Sequence, residues 1–301
     1  MTNKQKLLAA GLAIGIVALF CAAIFYFSHV NVAVLNPQGV VGNSERDLIV
    51  FTVILSLLVV VPVFTLLGVF AWKYRDTNTK KVEYKPEWDS DKILETIWWG
   101  IPCVVILALS IVTWQTSHSL DPFRPLNVAT EPLRVQVVAL QWKWLFIYPD
   151  QGVASVNELE IPEKTPINFE ITSDAPMNAF WVPSLGSQIY AMSGMSTQLH
   201  LMADKVGEYK GSSTNISGTG FADMTFSVHA VANAQFKQWV EMARGSEALT
   251  TNTYAELAKP GTMQKTMHYM VPDTALYDSI VAKYSQPAPQ HTTMPMNMGG
   301  M

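Results

Sequence analysis

Three long apolar stretches dominate the first part of the chain: Leu7 to Phe27, Leu48 to Trp72 and Thr96 to Trp114. Each has roughly the 20 apolar residues needed to cross a bilayer's hydrocarbon core. Pro62 and Pro102 fall inside the second and third stretches, where membrane helices tolerate proline if neighbours satisfy the freed carbonyls. Between these two stretches lie Lys73, Arg75, Lys80, Lys81, Lys85 and Lys92, whereas the preceding connection carries only Arg46. The excess of positive charge predicts that the 73–95 segment is cytoplasmic and that everything after Trp114 lies outside. The first stretch admits two readings. Lys4 and Lys6 before an apolar run also describe a secretory signal, but the run exceeds the usual signal core of about 7–15 residues and no clear small-x-small cleavage site follows. A retained helix is the simpler reading, and both give the same topology downstream.

From Leu133 the pattern changes to short alternating runs punctuated by Pro, Gly and Asn. Read as one extended strand, Arg134 to Tyr148 places Val138, Leu140, Trp142, Trp144, Phe146 and Tyr148 on a common face. Further strands are expected at Ile167 to Thr172, Ala179 to Val182, Gln198 to Met202 and Met224 to Ala230, with turns at Pro183 to Gly186 and Ser217 to Gly220. That spacing predicts a β-sandwich. Helical segments return at Ala234 to Arg244, Thr253 to Ala258 and Thr274 to Lys283, before a tail rich in Met, Pro, Gly and Thr that is expected to be disordered.

Composition narrows the chemistry. With 301 residues, 49% hydrophobic, 15% charged and a net charge of −4, the chain is neither disordered nor basic enough to suggest a nucleic-acid binder. Its two cysteines, Cys21 and Cys103, both lie in apolar runs, so neither a disulfide framework nor a cysteine-built metal site has its raw materials. His118, His200, His229, His268 and His291 are scattered, and ordinary structural or surface histidines are the simpler reading for His200 and His229. No nucleophile triad, phosphate-cradling loop or paired-carboxylate motif stands out. Glu95 sits where an apolar membrane run begins, a position suited to proton collection and equally to a helix N-terminus favoured by the dipole. Trp98 and Trp99 fit an interfacial aromatic belt. Two large aromatics at i and i+2, Trp142 and Trp144, suit a core or an interface. Met294, Met296, Met298 and Met301 are soft donors suited to Cu(I) in a tail that otherwise reads as a solvated terminus.

Several of these segments together resemble one family. Glu95-Thr96-Ile97-Trp98-Trp99-Gly100-Ile101-Pro102 resembles the start of the second membrane helix in subunit II of haem–copper oxidases. Gln141-Trp142-Lys143-Trp144 is similar to that family's aromatic strand, and Trp181-Val182-Pro183-Ser184-Leu185-Gly186 to its first ligand loop. Phe146-Ile147-Tyr148-Pro149 and Gly186-Ser187-Gln188-Ile189-Tyr190-Ala191-Met192 point to the quinol-oxidizing branch, the cytochrome bo-type ubiquinol oxidases. The resemblance runs from about Asn36 to about Tyr284.

The resemblance implies a membrane α plus all-β chain: N-terminal transmembrane helices, an external cupredoxin-like Greek-key β-sandwich and a C-terminal helical extension. The expected division is a signal-like segment or first helix at 1–30, a transmembrane hairpin at 31–120, a cupredoxin-like domain at 121–232, an aromatic-rich extension at 233–285 and a Met-rich tail at 286–301. Cytochrome c oxidases of the family hold a dinuclear copper centre. By motif position its first histidine is replaced here by Asn178, its cysteines by Ser213 and Ser217, its glutamate by Asn215 and its second histidine by Phe221, and only Met224 remains. Without thiolates to bridge two soft ions, no copper is expected on this chain. Carried over in the same way, Glu95 becomes the carboxylate at the entrance of a proton pathway, and Trp142 and Trp144 become subunit-interface residues.

Haem and copper are then expected in a partner subunit I, beside subunits III and IV, with ubiquinol rather than cytochrome c as the electron donor, in a proton-pumping oxidase of a bacterial inner membrane whose C-terminal domain is periplasmic. Some relatives carry a lipid-modified cysteine shortly before a stretch matched here by Asn36-Pro37-Gln38-Gly39. No cysteine stands there, and Phe20 precedes Cys21, so a third helix is expected instead. A rival reading is a membrane-anchored copper-handling module that uses the Met-rich tail.

Overall fold

The structure is a computed structural model that describes residues 32–75, 89–262 and 265–285, together with Ala22 and Phe25. The expectations for the first apolar stretch, for most of the basic loop and for the Met-rich tail lie outside the described residues. The chain divides into two compact units, a helical one and a second one that contains Gln38–Val40 and the residues from Pro125 onward.

In the helical unit, α1 spans Val40–Lys73 and α2 spans Lys92–Ser119. At 1.5 Å per residue both exceed the ~30 Å of hydrocarbon they would cross. Both start earlier than the apolar run predicts, because polar residues such as Asn43 to Asp47 continue the helix beyond the apolar stretch. Asp91 caps α2 by accepting hydrogen bonds from the Ile93 amide at 2.9 Å and the Leu94 amide at 3.1 Å. Within the helices the hydroxyls of Thr65, Thr96, Ser110 and Thr116 donate to carbonyls four residues back. Polar groups are thereby satisfied inside each helix, as a lipid environment demands. The large apolar side chains of both helices are exposed in the isolated chain, for example Phe64, Leu67, Val104 and Ile106.

The second unit is a β-sandwich. Its strands are β1 (Leu133–Leu140), β2 (Lys143–Tyr148), β3 (Val153–Val156), β4 (Glu158–Pro162), β5 (Ile167–Ser173), β6 (Asn178–Trp181), β7 (Ile189–Ala191), β8 (Thr197–Leu201), β9 (Gly207–Ser213), β10 (Thr225–Val231) and β11 (Met267–Met270). One sheet has the order β11-β3-β2-β1-β5-β8 and the other β4-β10-β9-β6-β7. The chain crosses repeatedly from one sheet to the other. As a result β1 and β5 pair in parallel, and so do β10 and β4, among otherwise antiparallel neighbours. This is the cupredoxin-like Greek-key sandwich expected from the sequence.

The single strand expected from Arg134 to Tyr148 is instead a hairpin turning at Gln141-Trp142. Cross-strand partners Val138 and Leu145, and Ala139 and Trp144, show that the turn reverses the parity of the side chains. Trp144, Phe146 and Tyr148 point into the sandwich, whereas Val138 and Leu140 join Leu145 and Ile147 on the opposite face. The interior is aromatic. Trp144 meets Phe180 edge-on at 5.5 Å between ring centroids, and Phe180 stacks on Phe226 at 5.2 Å.

The other face of that sheet is covered by the C-terminal extension, which explains why β1 and β2 are buried on both faces. The extension comprises α3 (Asn233–Arg244), α4 (Thr251–Leu257), β11 and α5 (Leu276–Ser285). Leu249, Leu257, Tyr269, Val271, Tyr277 and Ile280 pack on Val138, Leu140, Leu145 and Ile147 to form a second core. Phe236 and Trp239 of α3 lie against the Tyr148 ring. Lys143 pins this layer from beneath. Its buried ammonium donates to the carbonyls of Leu257 and Lys259, each at 2.7 Å, at the C-terminal end of α4, where the helix dipole favours a cation. Burial pushes its pKa down.

Replacing Lys143 by Met keeps the bulk but orphans two carbonyls. The expected loss is about 1–3 kcal/mol of domain stability, read as a lower unfolding midpoint. An unchanged midpoint would mean that these carbonyls find other donors.

Candidate functional site

Two places in the sandwich gather polar side chains in a way that a plain core would not, and the first is the segment after β9. The backbone pairing of Phe180 with Ser213 brings the start of β6 beside the end of β9. There the buried Ser213 hydroxyl donates to Asn178 Oδ1 at 3.0 Å, and Asn178 Nδ2 donates to the Pro176 carbonyl at 2.7 Å. Asn215 Nδ2 donates to the Met177 carbonyl at 2.8 Å. The Ser213 amide donates to the Met224 carbonyl at 3.1 Å, which closes the segment on itself around a 3-10 turn at Phe221–Asp223. Asn178, Ser213, Asn215 and Met224, far apart in sequence, are therefore neighbours. Ser217 lies further along the same segment, where its carbonyl accepts from Trp142 Nε1 at 3.2 Å.

Trp142 occupies the hairpin turn with a φ of 67°, a region that bulky residues rarely adopt. Its ring lies so close over the next turn that a Cβ at Gly220 would come within 2.3 Å of it. Trp144 behaves differently. It has no exposed surface and is enclosed by Phe180 and Phe226, so the expected role at a subunit interface is corrected: a side chain already sealed inside the sandwich has no face for a partner. Trp142 remains half-buried.

Glu95 lies in the first turn of α2, half-buried, its amide donating to the Asp91 carbonyl at 2.9 Å. Trp98 and Trp99 follow it, both well exposed in the isolated chain.

The extension is anchored at Asp174, just after β5. Its carboxylate accepts from Lys283 Nζ at 2.7 Å and from the hydroxyls of Tyr254 and Tyr284, each at 2.6 Å. Burial alone would raise the Asp174 pKa, but these three donors and the lysine charge outweigh it and hold the carboxyl below its ordinary value. Tyr277, in turn, hydrogen-bonds Ser196 at 2.8 Å.

The second gathering was missed by sequence reasoning. Glu158 and Glu160 project from the same face of β4, and His229 stands opposite Glu160 on β10. His229 Nδ1 lies 3.4 Å from Glu160 and 3.8 Å from Glu158, while His268 Nε2 lies 2.5 Å from Glu158. Burial and the neighbouring Glu158 charge push the Glu160 pKa up to about 7. The only sequence signal was Glu158-x-Glu160, and it carries meaning only once β4 is recognised as a strand.

Comparison with known proteins supplies the context. Residues 151–231 match the family model for the cytochrome c oxidase subunit II periplasmic domain, and residues 244–288 match the COX aromatic-rich motif. The chain is 45% identical to cytochrome bo(3) ubiquinol oxidase subunit 2 of Pseudomonas aeruginosa over 84% of its own length and 77% of that protein. It is 48% identical to ubiquinol oxidase subunit 2 of Acetobacter aceti, over 84% of its length and 82% of that protein. The chain belongs to the ubiquinol oxidase subunit 2 family. Among solved structures, the periplasmic domain of subunit II of cytochrome oxidase (CoxB) of Bradyrhizobium japonicum is 26% identical, covering 38% of this chain and 96% of that one with a TM-score of 0.36.

As a member of the ubiquinol oxidase subunit 2 family the chain is a subunit of a quinol-oxidizing haem–copper oxidase. The two apolar helices and the periplasmic-domain match fit an inner-membrane subunit. The aromatic-rich match covers the Tyr254, Tyr277, Lys283 and Tyr284 contacts, so the motif's aromatic residues are those that fasten the extension to the sandwich.

A carboxylate held below its ordinary pKa stabilises the fold while ionised, and that contribution is lost as pH falls through the folded-state pKa. Asp174→Asn is expected to cost about 1.5–3 kcal/mol at neutral pH and to shrink the loss of stability that the wild type suffers below about pH 4. Unfolding midpoints measured from pH 7 down to pH 3 read both effects, and parallel curves for the two proteins would refute the anchor.

Proposed function

We propose that this chain is a non-redox subunit II: it completes the oxidase and shapes proton entry, while the redox chemistry belongs to a partner subunit I. The single observation that carries this reading is the donor set around β6 and β9, in a chain that is 45–48% identical to ubiquinol oxidase subunits. Asn178, Ser213, Asn215, Ser217 and Phe221 offer amides, hydroxyls and a phenyl ring, and Met224 alone offers sulfur. Bridging two copper ions calls for thiolates and imidazoles, so this set does not fit a dinuclear copper centre. On this reading the positions are the remnant of one.

The electron donor accounts for the loss. Cytochrome c docks outside the membrane and needs a relay at the surface, whereas ubiquinol is lipid-soluble and can deliver electrons from within the bilayer. Haem and copper in subunit I supply the oxygen chemistry of the complex, which reduces oxygen to water and pumps protons outward. Subunits III and IV are the remaining proposed partners, alongside lipid. The helices α1 and α2 cross the membrane with the intervening basic segment cytoplasmic and the sandwich in the periplasm, which makes the chain multi-pass. Glu95, at the cytoplasmic start of α2 in that topology, stands at the entrance of a proton pathway, and Trp142 faces the partner subunit. The copper-handling reading is not favoured, because relatives of such identity over most of the chain are ubiquinol oxidase subunits.

Oxygen consumption by the purified complex, offered ubiquinol or reduced cytochrome c with metals counted on the same sample, tests the reading. Ubiquinol alone should sustain turnover, with copper equal to a single subunit I site. Cytochrome c oxidation with additional copper would refute it. In the same assay Glu95→Ala should slow turnover and proton uptake several-fold with full haem content, and unchanged rates would remove Glu95 from the pathway.

A further inference from the structure

The carboxylates on β4 pose a problem of charge. Glu158 and Glu160 both face the outer side of the second sheet, and the Glu160 side chain is only 9% exposed. A buried carboxylate is normally paired or hydrogen-bonded. The nearest partner of Glu160 is His229, at 3.4 Å, and among the described residues its carboxylate accepts no hydrogen bond.

We propose that Glu158, Glu160 and His229 bind a divalent first-row metal ion, with Zn2+ the ion whose donor preference they match, and that His268 and Glu208 are the outer partners of that site.

The geometry carries this further than an ion-pair cluster would. One ligand atom from each of the three residues lies within 4.8 Å of the others. Around tetrahedral zinc with bonds of about 2.0–2.2 Å, neighbouring ligand atoms stand about 3.3–3.6 Å apart. The separations from His229 Nδ1 of 3.4 Å and 3.8 Å are long for hydrogen bonds and close to that edge length. Pairing of β10 with β4 on one side and β9 on the other fixes this spacing in the sheet, because Glu160, His229 and Glu208 form one row across three strands.

The surroundings have the form of an outer shell. His229 turns its other nitrogen, Nε2, toward the exposed Glu208 carboxylate, which at 3.9 Å faces the imidazole without hydrogen-bonding it. His268 grips Glu158 through Nε2 at 2.5 Å and is packed edge-on against Trp239. The backbone of Glu160 is held by the Tyr148 hydroxyl, which donates to its carbonyl and accepts from its amide, both at 2.9 Å. A cation here offsets both the burial of Glu160 and its repulsion by the neighbouring Glu158 carboxylate. Three protein ligands leave a fourth position for water. Through His268, the ion also ties the C-terminal extension to the sandwich edge.

The test uses the purified complex, stripped with a chelator and titrated with Zn2+ against a chromophoric competitor, beside its Glu160→Gln and His229→Gln variants. Haem content reports assembly. The wild type should take up one zinc more per complex than either variant, and X-ray absorption at the zinc edge should show nitrogen and oxygen ligands only. His268→Gln keeps all three ligands and should weaken this zinc about 10-fold or more, which a merely structural cluster would not do. If Glu160→Gln fails to assemble, His229→Gln, whose side chain is 36% exposed, carries the comparison. Equal zinc uptake by wild type and variants, sulfur in the zinc shell, or no tightly held zinc in the wild type would each overturn the proposal.

Discussion

The two-residue turn at Gln141-Trp142 governs how the external domain is built. A hairpin that turns in two residues pairs odd positions with even ones, so Ala139 faces Trp144 and Val138 faces Leu145. From that reversal follow two cores instead of one. The aromatic side chains of β2 enter the sandwich, and the aliphatic residues of both strands form the opposite face. Burying that second face requires another layer, and the aromatic-rich extension supplies it. The turn also sets Trp142 above Gly218 and Gly220, which links the hairpin to the polar segment after β9.

Two charged side chains hold that second layer, and they work by opposite means. Lys143 lies beneath α4 and satisfies carbonyls that the end of a helix leaves open. Asp174 lies at the edge and collects three donors from α4 and α5. Each of these groups is costly to bury alone and favourable only when fully hydrogen-bonded. The extension therefore docks in one register, because a shift would strand a lysine and an aspartate at once. Apolar packing alone would be far less selective about position.

The sequence made the membrane helices, the sandwich class and the helical character of the extension legible, because each rests on a local period. Helices α1 and α2 declare themselves by length and apolarity, and β5, β6, β8 and β10 by short alternating runs. The strands that were missed have different reasons. β4 and β9 carry glutamates, lysine and glycine, residues depleted from strands, and they exist because sandwich partners satisfy them. β11 is a four-residue strand within the extension. The turn at Trp142 was hidden because a tryptophan holding a positive φ has no turn signature. Trp144 and Trp142 look equivalent in sequence, yet one is core and the other half-exposed, a difference that only register decides. The Glu158, Glu160 and His229 cluster joins strands that are adjacent solely through a parallel pairing across the fold.

The segment after β9, on the proposed reading the remnant of a metal site, keeps its shape by hydrogen bonds. A dinuclear metal centre holds loops together by coordination, and the proposed remnant has to do so by hydrogen bonds. Ser213 to Asn178 and Asn215 to Met177 span the gap between the two segments, while Asn178 to Pro176 and the Ser213 amide to the Met224 carbonyl brace each segment within itself. Each is worth about 0.5–1.5 kcal/mol, so together they are far weaker than metal–thiolate ligation. Trp142 makes up part of the difference by packing over the glycines and binding the Ser217 carbonyl. The polar residues at these positions are thus more than the absence of ligands. An apolar replacement of Asn178 or Ser213 would break their buried hydrogen bond and leave the surviving partner unpaired, which is why an amide and a hydroxyl, rather than leucines or valines, fit here.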